Sequence, residues 1–256
     1  MPEGPEVFYL SNLMRSLILN KKITKIVSNT KTIRNLPNPA KIIDIGSKGK
    51  TLWIKTNKYY IHLHMGISGW LVEEKPKIYK YILEFGNKKI YLKDQRRFSR
   101  LDIFTGIQHK KELDNLGIDV LTKDFTFEAF NEELNNCQRN ISALLMDQKV
   151  FSGIGNYIRN DALYLAKISP KRKVCDITSK EAKTLYNKLK YIVFSNAIEW
   201  LKIDGINIPK YIDSIKPNKL SIPYKFKIYG KEKVGKYKVK NSIVAGRKTY
   251  SITTQK

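Results

Sequence analysis

Hydrophobic residues near the start of the chain recur at the spacing of an α-helix: Val7, Leu10, Met14, Leu17 and Ile18. Residues three and four apart share one helical face, so this pattern predicts a helix over about 5–19. Pro5 suits its first turn, where a missing backbone N–H costs little. The residues before it should therefore be carried on a rigid element rather than in a loose tail.

The pattern then changes to short alternating stretches that are separated by turn residues. Eight strands are predicted: Ile23–Ser28, Ile42–Ile45, Thr51–Thr56, Tyr59–Leu63, Gly69–Glu73, Tyr79–Phe85, Lys88–Leu92 and Leu101–Phe104. So many short strands after one helix predict an antiparallel β-sandwich, with a barrel as the alternative.

Beyond Gly106–Thr122 the apolar spacing becomes helical. Helices are predicted at Thr126–Asn135, Ile141–Asp147, Ile154–Ala166 and Thr178–Leu201. The last stretch reads as β-hairpins: Phe226–Tyr229, Tyr237–Val239, Ile243–Val244 and Thr249–Thr253. The fold class is therefore α+β, with a β-sandwich domain over 1–115, a helical domain over 123–222 and a hairpin segment over 223–256. Residues 205–221 give no readable pattern.

Charge is the unusual feature of the composition. Lys and Arg number 48 against 23 Asp and Glu, for a net charge of +25. A field of this size attracts polyanions, of which nucleic acid is the first candidate and an anionic membrane surface the rival. The sequence shows neither a signal peptide nor the roughly 20 consecutive apolar residues that a membrane span needs.

Cysteine and histidine are scarce. Cys137 and Cys175 make no disulfide framework, so a reducing intracellular location and no secretion are expected. His62 and His64 sit at strand spacing, which favours packed or hydrogen-bonded imidazoles over metal ligands. We expect no bound metal and no small-molecule cofactor.

The first residues carry chemistry of their own. Removal of Met1 would leave Pro2 with a free secondary amine, a nucleophile that can condense with the aldehyde carbon of a sugar. A typical α-amino group has a pKa of about 7.7–8.0, against about 10.4 for lysine, so more of it is unprotonated at neutral pH. Glu3 places a carboxyl beside that amine, as proton transfer requires. An inert, polar N-terminus is the alternative.

Five further motifs follow in order. Gly49-Lys50 ends a basic hairpin loop, and Met65-Gly66 and Gln95-Arg96-Arg97-Phe98 follow predicted strands. Gly153-Ile154-Gly155-Asn156 precedes a helix whose N-terminus suits an anion. Gly246-Arg247-Lys248-Thr249-Tyr250 lies in the basic tail. Taken singly, these motifs also fit solvated turns, core packing and a disordered tail.

The ordered set resembles the formamidopyrimidine-DNA glycosylase/endonuclease VIII family over essentially the whole chain, and Gly4 favours the endonuclease VIII branch. The resemblance implies a helix–two-turn–helix element around Lys149 and Asn156. It also implies a C-terminal finger, here without the four zinc-binding cysteines. Such a finger needs other support, for which we expect packing by Ile243, Tyr250 and Ile252.

The resemblance also implies a role for each motif. Pro2 would be the Schiff-base nucleophile, Glu3 the proton donor, and Lys50 the contact to the lesion-side phosphate. The backbone contacts to DNA would come from Lys149, Asn156, Tyr229, Arg247 and Arg97. Met65, Arg96 and Phe98 would fill the gap left by an extruded base. Glu6 matches a family acid with a structural or proton-handling role.

The function implied is a bifunctional DNA glycosylase and AP lyase of base excision repair, acting as a monomer on damaged DNA. Oxidised pyrimidines and hydantoins are the expected lesions, with β,δ-elimination cutting the strand. One alternative is a catalytically inactive damage-binding protein on the same scaffold, which retained Met1 would favour. Another is a ribosome-associated RNA-binding protein, which would leave Glu3 without a task.

Overall fold

The computed structural model describes residues 2–28, 39–135, 137–210 and 224–256. The chain forms two compact units. The first comprises Met1–Asn115 with Asp204–Ile206, and the second comprises Leu116–Ile203 with Asn207–Lys256. The predicted α+β class, with a β-sandwich, a helical part and C-terminal hairpins, is confirmed. The hairpins belong to the second unit rather than to a unit of their own.

The first unit opens with helix α1, Gly4–Ile18, close to the predicted range. Its apolar side chains Val7, Leu10 and Met14 are at most 1% exposed, because the face they share packs on the sandwich. Glu3 is the residue that caps this helix. The hydrophobic burial of α1 therefore fixes the two residues that precede it.

Nine strands of the described residues form the two antiparallel sheets of the first unit. They are β1 Lys22–Ile23, β2 Lys25–Ser28, β3 Ala40–Lys48, β4 Thr51–Thr56, β5 Tyr60–His64, β6 Trp70–Val72, β7 Tyr81–Phe85, β8 Lys88–Lys93 and β9 Arg100–Phe104. One sheet has the order β1-β3-β4-β5-β9 and the other β2-β7-β8-β6. Alternate residues point into the shared core, as Leu52 and Ile54 of β4 do.

Helix α2, Gly106–Asp114, was not predicted. None of its residues is buried, so its sequence has no apolar face with helical spacing. Its signal is a capping box: Gln108 N donates to Thr105 Oγ1 at 3.3 Å, and Thr105 N donates to Gln108 Oε1 at 2.9 Å.

The second unit is mostly helical. Its helices are α3 Phe127–Asn135, α4 Ile141–Met146, α5 Asn156–Leu165 and α6 Ser179–Ile203, with a short 3₁₀ turn at Val174–Asp176. Strands β10 Ile118–Asp119 and β11 Phe151–Ser152 pair in parallel. Helix α5 begins later than predicted because Gly153 has φ +101 and Gly155 is an extended cap.

The C-terminal segment forms two hairpins. Strand β12, Lys233–Val234, pairs with β13, Tyr237–Lys238, and β14, Lys240–Val244, pairs with β15, Arg247–Ser251. They close over a small core of Ile228, Val239 and Ile252, so the expected burial of Ile252 is confirmed.

Two predictions for this segment are wrong. Ile243 is 73% exposed because it lies on the outer face of its hairpin, so it gives the finger no packing. Residues 226–229 form no strand, since the backbone N–H groups of Lys227, Ile228 and Tyr229 bond a side chain of α5 instead. Within the described residues, no helix is both long and apolar enough to cross a bilayer.

Candidate active site and nucleic-acid interface

Pro2 and Glu3 lie buried at the start of α1. Glu3 is 1% exposed and Glu6 8% exposed. The Glu6 carboxylate accepts a hydrogen bond from the backbone N–H of Glu3 at 2.8 Å. Because this bond spans the first turn, it fixes the Glu3 backbone and, through it, the position of Pro2. Glu6, whose role the sequence left open, is thus a positioning residue for both.

Lys50 occupies the tight turn between β3 and β4. Lys48 pairs with Thr51, which leaves a two-residue loop of Gly49 and Lys50. Gly49 has φ +56, a conformation that this loop requires and that other residues rarely adopt. Burial lowers the pKa of His64, and the nearby charges of Arg100 and Lys50 lower that pKa further. The Lys50 ammonium therefore stands in a region of positive potential, which suits a phosphate.

The two histidines of β5 are hydrogen-bonded, as predicted. His64 Nδ1 accepts from Gly66 N at 3.1 Å, and His62 Nε2 lies 2.7 Å from His109 Nδ1. Burial, and then the charge of His109, lower the pKa of His62 to about 4. No set of three or more His, Cys, Asp or Glu in the described part of the chain is placed to hold a metal ion.

Asp94 ties the loop after β5 to the loop after β8. Its carboxylate accepts hydrogen bonds from Ser68 Oγ at 2.5 Å, Ser99 N at 2.7 Å and Arg96 N at 3.2 Å. Burial alone would raise the pKa of this carboxyl, but the three hydrogen-bond partners outweigh burial and lower the pKa. A buried, ionised Asp94 therefore shapes both loops at once.

The loop after β8 presents its cations and ring to solvent. Phe98 is 55% exposed, and the guanidinium carbon of Arg96 lies 5.4 Å from the centroid of its ring. Arg97, also exposed, has φ +56, and its carbonyl accepts a hydrogen bond from Lys80 Nζ at 2.9 Å. The structure thus brings Arg96 and Phe98 together as an exposed pair.

The assignment of Met65 as a wedge is wrong. Its side chain is 1% exposed and belongs to the core of the sandwich. Gly66 follows with φ +62, and a Cβ on it would meet the Phe98 carbonyl carbon at 2.6 Å, so the two loops touch here. Ile67 comes next, in the turn and only partly buried. Ile67 is therefore the apolar residue that this loop offers beside Phe98.

In the second unit, Gln148 organises the turn before α5. Its side-chain amide donates to Ile154 O at 2.9 Å and accepts from Gly153 N at 3.1 Å. Lys149 is exposed in this turn, and Asn156 is the first residue of α5. The N-terminus of α5 carries the positive end of the helix dipole, which is suited to an anion.

Asn156 also reaches the second hairpin. Its Nδ2 donates to Lys248 O at 3.1 Å. The exposed Arg247 is the neighbouring residue, directly after a tight turn in which Ala245 and Gly246 have φ +51 and +69. Two positive φ values are typical of the type I′ hairpin turn. The structure therefore brings the asparagine of the helical turn next to the arginine-bearing hairpin.

The hairpin segment is anchored to α5 by Asp161, which sequence reasoning missed. This carboxylate is 0% exposed and accepts from Ile228 N and Tyr229 N at 2.9 Å, and from Lys227 N and Tyr224 OH at 2.7 Å. Tyr229, predicted as a DNA contact, is thus held through its backbone. An acidic residue at the centre of an otherwise apolar helical face was the available signal.

Two family models match this chain. One, described as the formamidopyrimidine-DNA glycosylase N-terminal domain, matches residues 1–101. The other, described as the formamidopyrimidine-DNA glycosylase H2TH domain, matches residues 116–207. The first match falls in the β-sandwich unit and the second begins where the helical unit begins.

Curated relatives carry the same description. The formamidopyrimidine-DNA glycosylase of Wolbachia sp. subsp. Drosophila simulans (strain wRi) is 31% identical over 205 residues, covering 74% of this chain and 76% of the relative. That of Vesicomyosocius okutanii subsp. Calyptogena okutanii (strain HA) is 28% identical over 259 residues, covering 95% and 94%.

Solved structures share the fold over nearly the full length. The MutM (Fpg) protein from Thermus thermophilus matches with a TM-score of 0.79 at 26% identity, covering 97% of this chain and 96% of that one. An inhibited Lactococcus lactis Fpg in complex with DNA containing N7-benzyl-Fapy-dG matches with a TM-score of 0.81 at 20% identity, covering 98% of both chains.

Proposed function

The chain belongs to the formamidopyrimidine-DNA glycosylase family, and from this premise we propose that it is a bifunctional DNA glycosylase and AP lyase that uses Pro2 as its nucleophile. Its named relatives are DNA glycosylases. The observation that carries the proposal is the buried Pro2-Glu3 pair, held at the start of α1 by Glu6. Chain termini are usually poorly ordered, so a buried and hydrogen-bonded start to the chain indicates a function for these residues.

The first stage is base removal. With Met1 removed, the unprotonated Pro2 nitrogen forms a bond to C1′ of the damaged nucleotide, and the base leaves with the electron pair of the glycosidic bond. Glu3 donates a proton to the ring oxygen O4′ as the sugar opens. The N–H proton of Pro2 passes to the departing base. As the C1′–O4′ bond breaks, the nitrogen lone pair forms a double bond to C1′, which gives an iminium ion.

The second stage is strand cleavage. The iminium ion acidifies the C2′ proton, whose removal expels the 3′ phosphate by β-elimination. A δ-elimination then expels the 5′ phosphate, and hydrolysis of the iminium ion returns the Pro2 amine. No metal or organic cofactor is needed for these steps, and residues 223–256 contain neither cysteine nor histidine that could hold zinc.

Binding rests on cations in both units. We assign the phosphate contacts to Lys50 in the first unit and to Lys149, Asn156 and Arg247 in the second, with Arg97 as a further cation. Phosphate contacts fix the register of the duplex, whereas the lesion is selected after it leaves the base stack. The ring of Tyr229, half-buried with its centroid 5.2 Å from that of Tyr250, is a candidate contact to the DNA backbone.

The gap left by the extruded base is assigned to three side chains on the two loops that Asp94 joins. Ile67 replaces Met65 in this role, beside Arg96 and Phe98. The exposed ring of Phe98 and the nearby Arg96 guanidinium suit an orphaned base, which offers an apolar face and hydrogen-bonding edges.

For the lesion, we propose oxidised pyrimidines and hydantoins, as Gly4 suggests. The related Lactococcus lactis Fpg has been solved with DNA that contains an oxidised pyrimidine. The relatives named above are described as formamidopyrimidine-DNA glycosylases, so they do not support the endonuclease VIII branch in particular. Membership of that branch is therefore part of this proposal.

The test is a lesion panel with borohydride present and absent. Met1-free protein should release the base from duplexes with an oxidised pyrimidine or a hydantoin and should cut at a preformed abasic site. Borohydride should reduce the iminium ion to a stable protein–DNA complex, and Pro2→Gly should lose this complex. A Met1-free protein that binds the duplex but gives neither base release nor a trapped complex would be a damage-binding protein instead.

A further inference from the structure

Arg159 is an unusual residue on helix α5. Its side chain is 0% exposed, although a guanidinium is charged at any accessible pH. Burying such a charge is unfavourable unless its hydrogen bonds are met. One terminal nitrogen, Nη2, donates to Asn156 Oδ1 at 2.7 Å, to Thr249 Oγ1 at 2.8 Å and to Lys248 O at 3.3 Å. The charge is thus directed at the two segments that carry the proposed phosphate contacts.

The contact to Thr249 continues to Arg247. Thr249 is 0% exposed, and its hydroxyl, which accepts from Arg159, donates to Arg247 O at 3.0 Å. A hydroxyl can accept and donate at the same time, so the two bonds form one chain. This chain runs from the helix to the backbone of the exposed arginine at the hairpin turn.

The contact to Asn156 fixes the orientation of its amide. Oδ1 accepts from Arg159 Nη2 at 2.7 Å and from Asn160 Nδ2 at 3.2 Å, so the oxygen faces the side chains of the next turn of α5. Nδ2 must then point the other way, where it donates to Lys248 O at 3.1 Å. An amide nitrogen carries two N–H donors, so this nitrogen can bond Lys248 O and a ligand oxygen at the same time.

We propose that Arg159 is a positioning residue that holds Asn156 and the Arg247 turn in place as one preorganised phosphate-binding site. The proposal rests on the proposed DNA contacts of these two residues. Holding both before DNA arrives removes the cost of ordering them on binding. In a finger without zinc, the buried guanidinium adds a link between the second hairpin and α5, beside the anchor that Asp161 gives to 224–229. Its loss should weaken binding and leave the chemistry at Pro2 unchanged once DNA is bound.

The first experiment compares Arg159→Met with wild type on a duplex that carries a tetrahydrofuran abasic analogue. We expect about tenfold weaker binding, the loss of roughly one hydrogen bond to a charged group. The single-turnover rate on a lesion duplex at saturating protein should stay within about twofold. Arg172→Met, which removes an arginine paired with Glu181 elsewhere in the unit, should leave affinity unchanged.

A double-mutant cycle separates positioning from general stabilisation. If Arg159 acts through Asn156, then Arg159→Met should cost much less in an Asn156→Ala background than in wild type. A full additional tenfold loss in that background, or unchanged affinity of the single variant, would overturn the proposal.

Hydrogen exchange tests the link without DNA. Arg159→Met should speed amide exchange in 247–251 and at the start of α5 together, while 227–229, held by Asp161, should keep wild-type rates. Should Arg159→Met not fold, Thr249→Val, which removes the relay hydroxyl, must speed exchange at the turn and weaken binding. Wild-type exchange at the turn in the folded variant would refute the link. Failure of wild type to bind damaged DNA would instead refute the proposed function.

Discussion

Asp161→Asn should release the C-terminal hairpins from the helix that carries them. The native carboxylate accepts three consecutive backbone N–H groups and one tyrosine hydroxyl, all at 2.7–2.9 Å. Asparagine has nearly the same shape, but one of its two terminal atoms is an N–H donor. That donor would face Lys227 N and Tyr224 OH, or the two N–H groups on the other side.

The size of the effect follows from these four bonds. A hydrogen bond to a charged group contributes about 1.5–3 kcal/mol, and an asparagine oxygen can keep at most two of the four. Since neighbouring bonds are not additive, we take about 3 kcal/mol as the loss. That value corresponds to a roughly 100-fold larger population in which the segment has left α5.

Amide exchange in 224–229 is the direct assay, because exchange of protected groups follows the open population. We expect it to accelerate by roughly the same 100-fold, with weaker binding to an abasic-analogue duplex and little change in α1. The matched control is Asp124→Asn, an exposed acid of the same unit. If Asp161→Asn exchanged at the wild-type rate in 224–229, packing and not the carboxylate would hold this segment on α5.

Four other expectations can be checked independently. Glu3→Gln should slow base removal by about 100-fold or more, but it should slow cleavage at a preformed abasic site far less. Both rates can be measured in gel assays. Equal losses would show that Glu3 does not donate the proton for sugar opening. Arg247→Ala should make the negative slope of log K against log salt less steep by about 0.9, the value for one phosphate; an unchanged slope would mean that Arg247 makes no phosphate contact. Because the folded-state pKa of His62 is lowered to about 4, chiefly by burial, the unfolding free energy should fall as pH drops from about 6.5 to 4. Urea titrations of His62→Gln should show a smaller fall in the unfolding free energy over this pH range. An identical fall would show that other groups cause it. Ile67→Ala should weaken binding to a lesion duplex at unchanged thermal stability, whereas Met65→Ala should cost about 2–5 kcal/mol of stability from its core site; the reverse result would restore Met65 as the wedge.

Much of the fold could be predicted from the sequence because burial imposes a period. The apolar face of α1 and the alternation in β4 are local patterns, and both elements lie where the patterns predicted them. Helix α2 was not predicted because it has no buried face, so its only sequence signal is the Thr105–Gln108 capping box. The segment at 226–229 alternates like a strand, yet a single carboxylate on a distant helix supplies its backbone with acceptors.

The site shows the same limit. Local motifs predicted a turn at Lys50 and a helix near Asn156, and the structure has both, because a glycine conformation or a helix start accompanies each residue. Met65 and Ile67 are two residues apart on one loop, and only the direction of each side chain decides which is buried. Asp94 and Arg159 act on partners through tertiary contacts, so no spacing in the sequence could reveal them.

The identity of the attacking amine can be measured directly. Met1-free protein would be trapped with borohydride on DNA containing an abasic site, digested, and mapped by mass spectrometry to the residue that carries the sugar. We expect the adduct on the nitrogen of Pro2, in the N-terminal peptide. An adduct on a lysine such as Lys50, or none from protein that binds the DNA, would contradict the assignment of Pro2 as the nucleophile.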